Sequence, residues 1–82
     1  MIHLPERTGR ILKIIVSEYI ATGVAISSDA IHRGYVLRVS PATIRNEMAY
    51  LEEEGFIGRP HASSGGIPSD KGYRYYIEDL LD

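Results

Sequence analysis

Three side chains that can hydrogen-bond to flat polar groups fall within four consecutive positions: Thr43, Arg45 and Asn46. An asparagine amide can pair at two points with adenine, and an arginine guanidinium can pair with guanine or bind a phosphate. None of these contacts needs a nucleophile or a metal ion. The three residues therefore indicate recognition chemistry, provided that one element displays them together.

That element is predicted to be a helix in the stretch SPATIRNEMAYLEEEGF. Ser40 can cap the helix, Pro41 suits its first turn, and Gly55 ends it. Three apolar residues recur at i, i+4 and i+7 and form one stripe: Ile44, Met48 and Leu51. The opposite face is small or polar without charge: Ala42, Thr43, Asn46 and Ala49. Three glutamates, 52–54, stand at the far end of the helix.

Two further helices are predicted before this one. Pro5 falls in the first turn of helix one, Gly23 ends it, and Gly9 weakens its start. Its apolar positions follow helical spacing: Leu12, Ile15, Val16, Tyr19 and Ile20. A short second helix begins near Ser27 or Ser28 and ends early at Gly34. Its inward-facing residues are predicted to be Ala30, Ile31 and Tyr35.

A small hairpin and a last helix are predicted after Gly55. The turn-rich HASSGG separates two extended pieces, and Pro60 and Pro68 keep their pairing short because proline cannot donate to a strand ladder. Ser69 can cap the last helix. Its predicted apolar stripe is Tyr73, Tyr76, Ile77, Leu80 and Leu81, with Arg74 and Tyr75 turned outward. We interpret this stripe either as a docked terminal helix or as a sign that the domain belongs to a longer protein.

Three helices, a hairpin and a C-terminal helix are the order of a winged helix-turn-helix, so we expect one mostly α domain over residues 1–82. In that fold the third helix enters the DNA major groove, and the hairpin lies over the neighbouring backbone or minor groove. Bulk and negative charge are penalised at the start of such a helix. They are tolerated at its end, which points out of the groove.

Composition excludes several other classes. The chain has 82 residues and no cysteine, so a second domain, disulfides and thiolate metal sites are not expected. The three histidines lack metal-ligand spacing. No stretch approaches a membrane span, and the N-terminus lacks a signal-peptide core. We expect a soluble, cytoplasmic, cofactor-free protein without membrane contact.

The net charge of −2 hides a segregated distribution. Between Ala30 and Asn46 the chain has three arginines and no acid, and between Gly55 and Arg74 it has three basic residues against one acid, so the two segments sum to +5. The acids gather elsewhere: Glu47, Glu52, Glu53, Glu54, Glu78, Asp79 and Asp82. Such segregation allows one face to meet a polyanion while the domain as a whole remains acidic.

Three segments closely resemble the N-terminal DNA-binding domain of HrcA, the bacterial heat-inducible transcription repressor family. They read ILKIIVSEYIATG, SPATIRNEMAYLEEEGFI and RPHASSGGIPSDKGYRYY, and the likeness runs from about Arg10 to Tyr76. The resemblance implies a homodimeric repressor that binds an inverted-repeat operator upstream of chaperone genes, with the chaperonin GroEL modulating its activity. It also implies a longer parent protein with a dimerisation and regulatory region after this domain.

The wing departs from the family pattern. The family usually reads SAGRIP where this chain reads SSGGIP, so Ser64 and Gly66 stand at the alanine and arginine positions. The absent arginine would be a natural phosphate or minor-groove contact. Arg59 and Lys71 are the cationic residues that could substitute for it.

The predicted DNA contacts lie on helix three, in the wing and beside it. They are Ser40, Ala42, Thr43, Arg45, Asn46, Ala49, Tyr50, Arg59, His61, Ser63, Ser64 and Lys71. Arg45 falls near the flank of the helix, which favours phosphate first and bases second. For Ser40, helix capping and a phosphate contact remain equal alternatives.

Two other functions compete with DNA binding. A winged helix can associate with a protein through helix three, and the acidic total and the missing wing arginine favour that reading. The acid-free run from Ala30 to Asn46 favours DNA. An enzyme is the weakest alternative, because His61, Ser63 and Asp70 would form a triad with no sign of an oxyanion hole or a cleft. We therefore predict no catalytic residues.

Overall fold

The order of elements in the computed structural model is the one that the sequence predicts. The structure describes residues 3–61 and 64–81. Within them, three helices are followed by a hairpin and a fourth helix: α1 (Glu6–Thr22), α2 (Ser28–Gly34), α3 (Pro41–Glu53), β1 (Ile57–Gly58), β2 (Ile67–Pro68) and α4 (Asp70–Leu81). The strands pair antiparallel over two residues each. The predicted mostly α, winged-helix architecture is confirmed.

Serine hydroxyls cap three of the helices. Ser27 Oγ accepts a hydrogen bond from the N–H of Ala30 at 3.1 Å, and Ser40 Oγ accepts one from the N–H of Thr43 at 3.2 Å. Ser69 Oγ accepts from the N–H of the third residue of α4 at 3.2 Å. These bonds satisfy N–H groups that the first turn leaves without partners. Pro5 sits just before α1 as its N-cap residue, one position earlier than predicted.

The core lies where α1, α2, α3 and the hairpin meet. Its fully buried side chains are Ile11, Leu12, Ile15, Val16, Ile31, Ile44, Met48, Leu51 and Phe56. The apolar stripe predicted for α3 is therefore confirmed. The stripe predicted for α1 holds only for its first part, since Ile20 is 59% exposed. Its last turn extends beyond the core and ends at Gly23, whose φ of 69° is left-handed.

Tyr75 packs inward, contrary to the prediction. Its ring meets that of Phe56 edge to face, with centroids 6.0 Å apart. Its hydroxyl lies against Gly9, where an added Cβ would be 2.7 Å from the hydroxyl oxygen. Gly9 is thus a buried position inside α1 that admits the tyrosine, and the helix begins at Glu6, before Gly9 and not after it.

The outer half of α4 leaves its apolar residues exposed. Ile77, Leu80 and Leu81 are 52%, 64% and 82% exposed, while Tyr73 and Tyr76 are partly buried against the core. The prediction of one continuous inward stripe is therefore correct only for the first half of the helix. Helical spacing identifies a potential contact face but does not say whether a partner element covers it.

The wing is joined to the loop between α1 and α2. Gly66 and Ile26 form an antiparallel bridge, in which the N–H of Gly66 donates to the carbonyl of Ile26 at 2.9 Å. The neighbouring Gly65 lies so close that an added Cβ would be 2.2 Å from the Ile26 carbonyl oxygen. The GG pair in the sequence therefore serves close backbone approach as well as the turn, and it fixes the hairpin to the helical core.

A second tie connects α1 to the end of α2. The Tyr35 hydroxyl donates a hydrogen bond to the Glu18 carboxylate. This bond, together with partial burial and the nearby negative charge, raises the pKa of Tyr35 above its ordinary value. The tyrosine therefore keeps its proton to a higher pH than an ordinary phenol does.

Candidate nucleic-acid interface

The structure gathers most of the predicted contacts on the solvent face of α3. Its exposed residues are Ala42, Arg45, Asn46, Ala49 and Tyr50. Thr43 is half-buried, and its hydroxyl lies 3.1 Å from Ser40 Oγ in a hydrogen bond of either direction. Glu52 and Glu53 are exposed on the last turn of α3, but over residues 41–50 this face carries no formal charge apart from Arg45 at its flank. It can approach a polar surface closely because alanines occupy two of its positions.

Glu47 is the one acid among residues 41–50 of α3, and α1 holds it away from solvent. Arg7 Nε donates a hydrogen bond to Glu47 Oε2 at 2.8 Å, and Thr8 Oγ1 donates one to Oε1 at 2.9 Å. The Glu47 side chain is only 16% exposed. The carboxylate is therefore neutralised and directed at the neighbouring helix, so it does not oppose an anion in front of α3.

Arg45 and Glu47 mark opposite flanks of the helix. Residues two positions apart in an α-helix are separated by about 200° around the axis. Since Glu47 is bonded to α1, Arg45 lies on the flank that faces away from α1. Ala42, Asn46 and Ala49 lie between these flanks. Helix α3 can therefore lie next to a negatively charged group on the side that carries Arg45.

The wing residues have mixed surroundings. His61 is exposed. Ser64 Oγ donates to the His61 carbonyl at 2.8 Å and accepts from the His61 N–H at 3.1 Å, so this hydroxyl stabilises the turn. Ser63 lies outside the described residues. Gly66 is buried, and an added Cβ would lie 3.0 Å from the Ile57 side chain. An arginine at this position would therefore start from an apolar, closely packed site.

Arg59 and Lys71 lie at the opposite end of α3 from its N-terminal cap. Arg59 Nε is 3.3 Å from a carboxylate oxygen of Glu52. Lys71 Nζ donates to the Glu54 carbonyl at 2.7 Å and lies 4.4 Å from the centre of the Phe56 ring. A cation at a helix C-terminus is favourable because it meets the partial negative charge of the last carbonyls. In this arrangement both residues have structural partners, and they are separated from the face that carries Asn46.

Two arginines that the sequence did not single out lie in or against the turn between α2 and α3. Arg38 has a φ of 59° and precedes the Ser40 cap by two residues. Arg10 of α1 donates from Nη2 to the carbonyl of Val36 at 3.5 Å, in the turn between α2 and α3. Arg38 had one visible signal, its place in the acid-free run. No sequence feature pointed to Arg10, because helix packing brings it to Val36, which is 26 positions away in the sequence.

Metal binding and membrane insertion find no support in the described residues. Within 3–61 and 64–81, no group of three or more histidine, cysteine, aspartate or glutamate side chains is close enough together to hold a metal ion. Over the same ranges, no helix combines the length and the hydropathy needed to cross a bilayer.

A three-helix core, a capped and solvent-facing third helix and a hairpin fixed to the core define a winged-helix domain. A solved crystal structure described as a hypothetical protein has the same fold, with a TM-score of 0.90 and 44% identity over 95% of this chain and 25% of that one. No family model matches the chain.

Curated relatives supply the family. The heat-inducible transcription repressor HrcA of Desulforudis audaxviator is 53% identical over 79 residues, which are 96% of this chain and 23% of the relative. HrcA of Moorella thermoacetica is 53% identical over 95% of the chain, and HrcA of Chloroflexus aggregans is 48% identical over 96%. The chain belongs to the HrcA family of heat-inducible transcription repressors. It spans about a quarter of the length of these relatives.

Proposed function

We propose that this chain is the DNA-binding domain of a transcription repressor and that α3 is its recognition helix. The observation that carries the proposal is the exposed face of α3 over residues 41–50, which has alanines at two positions, has Arg45 on one flank, and has its one acid, Glu47, bonded to α1. An anionic duplex tolerates such a face, whereas an exposed carboxylate at position 47 would repel it.

The dimensions of the helix fit the major groove. A helix with its side chains is about 10–12 Å wide, and the groove is about 12 Å wide. Alanines at 42 and 49 let the backbone of α3 approach base edges, and the Asn46 amide can donate to and accept from adenine. Thr43 can reach a base or a sugar, and Arg45 binds phosphate first and bases second. Ser40 adds a phosphate contact to its capping role, and Tyr50 borders the groove.

The wing is proposed to lie over the adjacent backbone or minor groove. The proposed contacts there are His61 and Ser64, which are bonded to each other, and Ser63, which precedes Ser64 in the sequence. Arg59 and Lys71 can join only if they exchange their present partners, Glu52 and the Glu54 carbonyl, for phosphate. We therefore assign most of the binding free energy to α3.

The family relationship supports a further set of proposals about the whole protein. The whole protein is proposed to bind an inverted-repeat operator upstream of chaperone genes as a homodimer, which places two DNA-binding domains on the operator. It is also proposed to be modulated by the chaperonin GroEL and to act in the cytoplasm. None of these requires an enzymatic step. They concern a protein about four times longer than this chain.

Association with a protein through α3 is the competing function. An interface of that kind normally has an apolar centre. Tyr50, 44% exposed, is the large hydrophobic residue exposed on α3, whereas the others in the described residues lie elsewhere: Ile20, Val24, Val36, Ile77, Leu80 and Leu81. The surface of α3 therefore favours DNA over a protein partner.

A backbone-amide NMR titration tests the proposal directly. The chain is titrated with a duplex that carries the family's inverted repeat and with a scrambled duplex, at low and moderate salt. We expect shifts concentrated at residues 40–50 and in the 61–66 turn, with the repeat outcompeting the scramble. If neither duplex moves these amides at low salt, the DNA-binding proposal is wrong and a protein partner should be sought.

A further inference from the structure

The basic side chains of the fold divide into two groups. Three are paired with carboxylates: Arg7 with Glu47, Lys13 with Asp79 and Arg59 with Glu52. The other six have no carboxylate within 4.0 Å among residues 3–61 and 64–81: Lys71, which donates to the Glu54 carbonyl, and five arginines, Arg10, Arg33, Arg38, Arg45 and Arg74. Four of these five lie in α2, the following turn or α3, or touch that turn. The fold thus concentrates uncompensated positive charge around the start of the recognition helix.

Arg10 is brought to this region by the packing of α1. Its guanidinium donates one long hydrogen bond, 3.5 Å, to the Val36 carbonyl. A guanidinium has five N–H donors, so most of its donors remain free for another acceptor. Arg10 is exposed, and Val36 is 78% exposed. The contact therefore anchors the side chain beside the turn without using its charge.

Arg38 occupies a backbone conformation that usually selects glycine or asparagine. It is the non-glycine residue with positive φ in the described part of the chain, and it is exposed. A left-handed φ is sterically unfavourable for a residue with a Cβ. Neither burial nor an ion pair in the described residues accounts for an arginine there. Strained residues of this kind are concentrated at binding sites, where a contact with the partner can justify the cost.

We propose that Arg10 and Arg38 form a phosphate-binding site on the α1 side of the recognition helix. This inference rests on the proposed function and extends the DNA footprint beyond helix three. The major groove is bordered by two sugar-phosphate backbones, one on each side of an inserted helix. Arg45 lies on the flank away from α1 and faces one backbone. Arg10, which contacts the α2–α3 turn at Val36, and Arg38, two residues further along that turn, are proposed to meet the other.

The test compares salt-dependent DNA affinity for charge-removing variants. Arg10→Gln and Arg38→Gly are measured by fluorescence anisotropy on a labelled mixed-sequence duplex at 50–200 mM salt, a range that suits counterion-release analysis (about fourfold). Arg74→Gln is the matched control, because Arg74 is also exposed and unpaired but belongs to α4, which packs against α1 and β2. Thermal unfolding of each variant verifies folding. Glycine is chosen at 38 because it accepts the left-handed φ.

We expect Arg10→Gln and Arg38→Gly each to lower the slope of log affinity against log salt by ~0.9 and to weaken binding about threefold at low salt, relative to Arg74→Gln. Arg38→Gly should lose affinity while its thermal stability is retained or increased. If the wild-type chain binds DNA and both variants behave like Arg74→Gln, this inference fails while the proposed function stands. If the wild-type chain binds no duplex, both fail together.

Discussion

Asn46 and Arg45 are adjacent in the chain, but they occupy different positions around α3: Asn46 is on the exposed centre of the helix and Arg45 on a flank. In the proposed complex, the Asn46 amide meets base edges and Arg45 meets phosphate. We expect Asn46→Ala to reduce the preference for the family's repeat over a scrambled duplex by about 5- to 150-fold, the equivalent of ~1–3 kcal/mol. Arg45→Ala should weaken binding to both duplexes alike and lower the salt slope by ~0.9.

Competition binding with the two duplexes at several salt concentrations measures both effects. Equal loss of preference in the two variants would contradict the separation of base and phosphate contacts. Arg74→Gln is the control, because Arg74 is exposed but belongs to α4, outside the proposed interface.

Gly65 is required by the approach of the wing to the α1–α2 loop. An added Cβ would lie 2.2 Å from the Ile26 carbonyl oxygen, an atom of the backbone that cannot rotate away. We expect Gly65→Ala to lower the free energy of unfolding by about 3 kcal/mol, at the upper end of overpacking costs. Chemical denaturation measures the change.

Gly58→Ala is the matched control for that prediction. Gly58 lies in β1, and an added Cβ there has no heavy atom within 4 Å. Its effect should stay within about 0.5 kcal/mol of zero. Similar denaturation midpoints for the two variants would show that the wing does not depend on this close approach.

At the scale of the element, two substitutions of Ser40 can separate helix capping from phosphate binding by its hydroxyl. Ser40 Oγ accepts from the N–H of Thr43, so Ser40→Ala should cost about 1 kcal/mol of stability, and Ser40→Gly only a few tenths. If Ser40 also binds phosphate, both variants lose the same DNA affinity. If the hydroxyl is only a cap, Ser40→Gly retains wild-type affinity. Denaturation and anisotropy on the same samples distinguish the two outcomes.

Elements set by local signals were predictable from the sequence. The cap at Ser40, the stop at Gly23 and the stripe of Ile44, Met48 and Leu51 depend on residues close together in the chain. The inward turn of Tyr75 was not predictable in the same way. It depends on space left by Gly9, 66 positions away in sequence, and helical periodicity contains no information about such a partner.

The site was predictable only in part for the same reason. The exposed face of α3 follows from its own sequence, so its members were found. The neutralisation of Glu47 depends on Arg7 and Thr8 of α1, and the position of Arg10 depends on a carbonyl of the α2–α3 turn. These are consequences of packing between helices. They change the electrostatics of the interface without changing any residue on α3.

At the scale of the whole molecule, a single copy of this domain should bind an inverted repeat weakly. Fusing a parallel two-stranded coiled coil after α4 through a flexible linker would bring two copies together. We expect the fusion to raise affinity for the full repeat by about 100-fold or more, because the second contact becomes intramolecular. A duplex with a single half-site should gain little. An equal gain on both duplexes in anisotropy titrations would contradict an operator that two copies share.

The charges along α3 give the domain an electric dipole moment along the helix axis. The helix begins beside Arg38 and ends at Glu53, about 20 Å away at 1.5 Å per residue, and its peptide dipole has the same sense. Side-chain and backbone fields therefore add, although acids at a helix C-terminus reduce stability. Near a polyanion, such a molecule experiences a torque that turns its recognition end forward. Encounters should thus be oriented before contact, and association should be faster than the net charge of −2 implies.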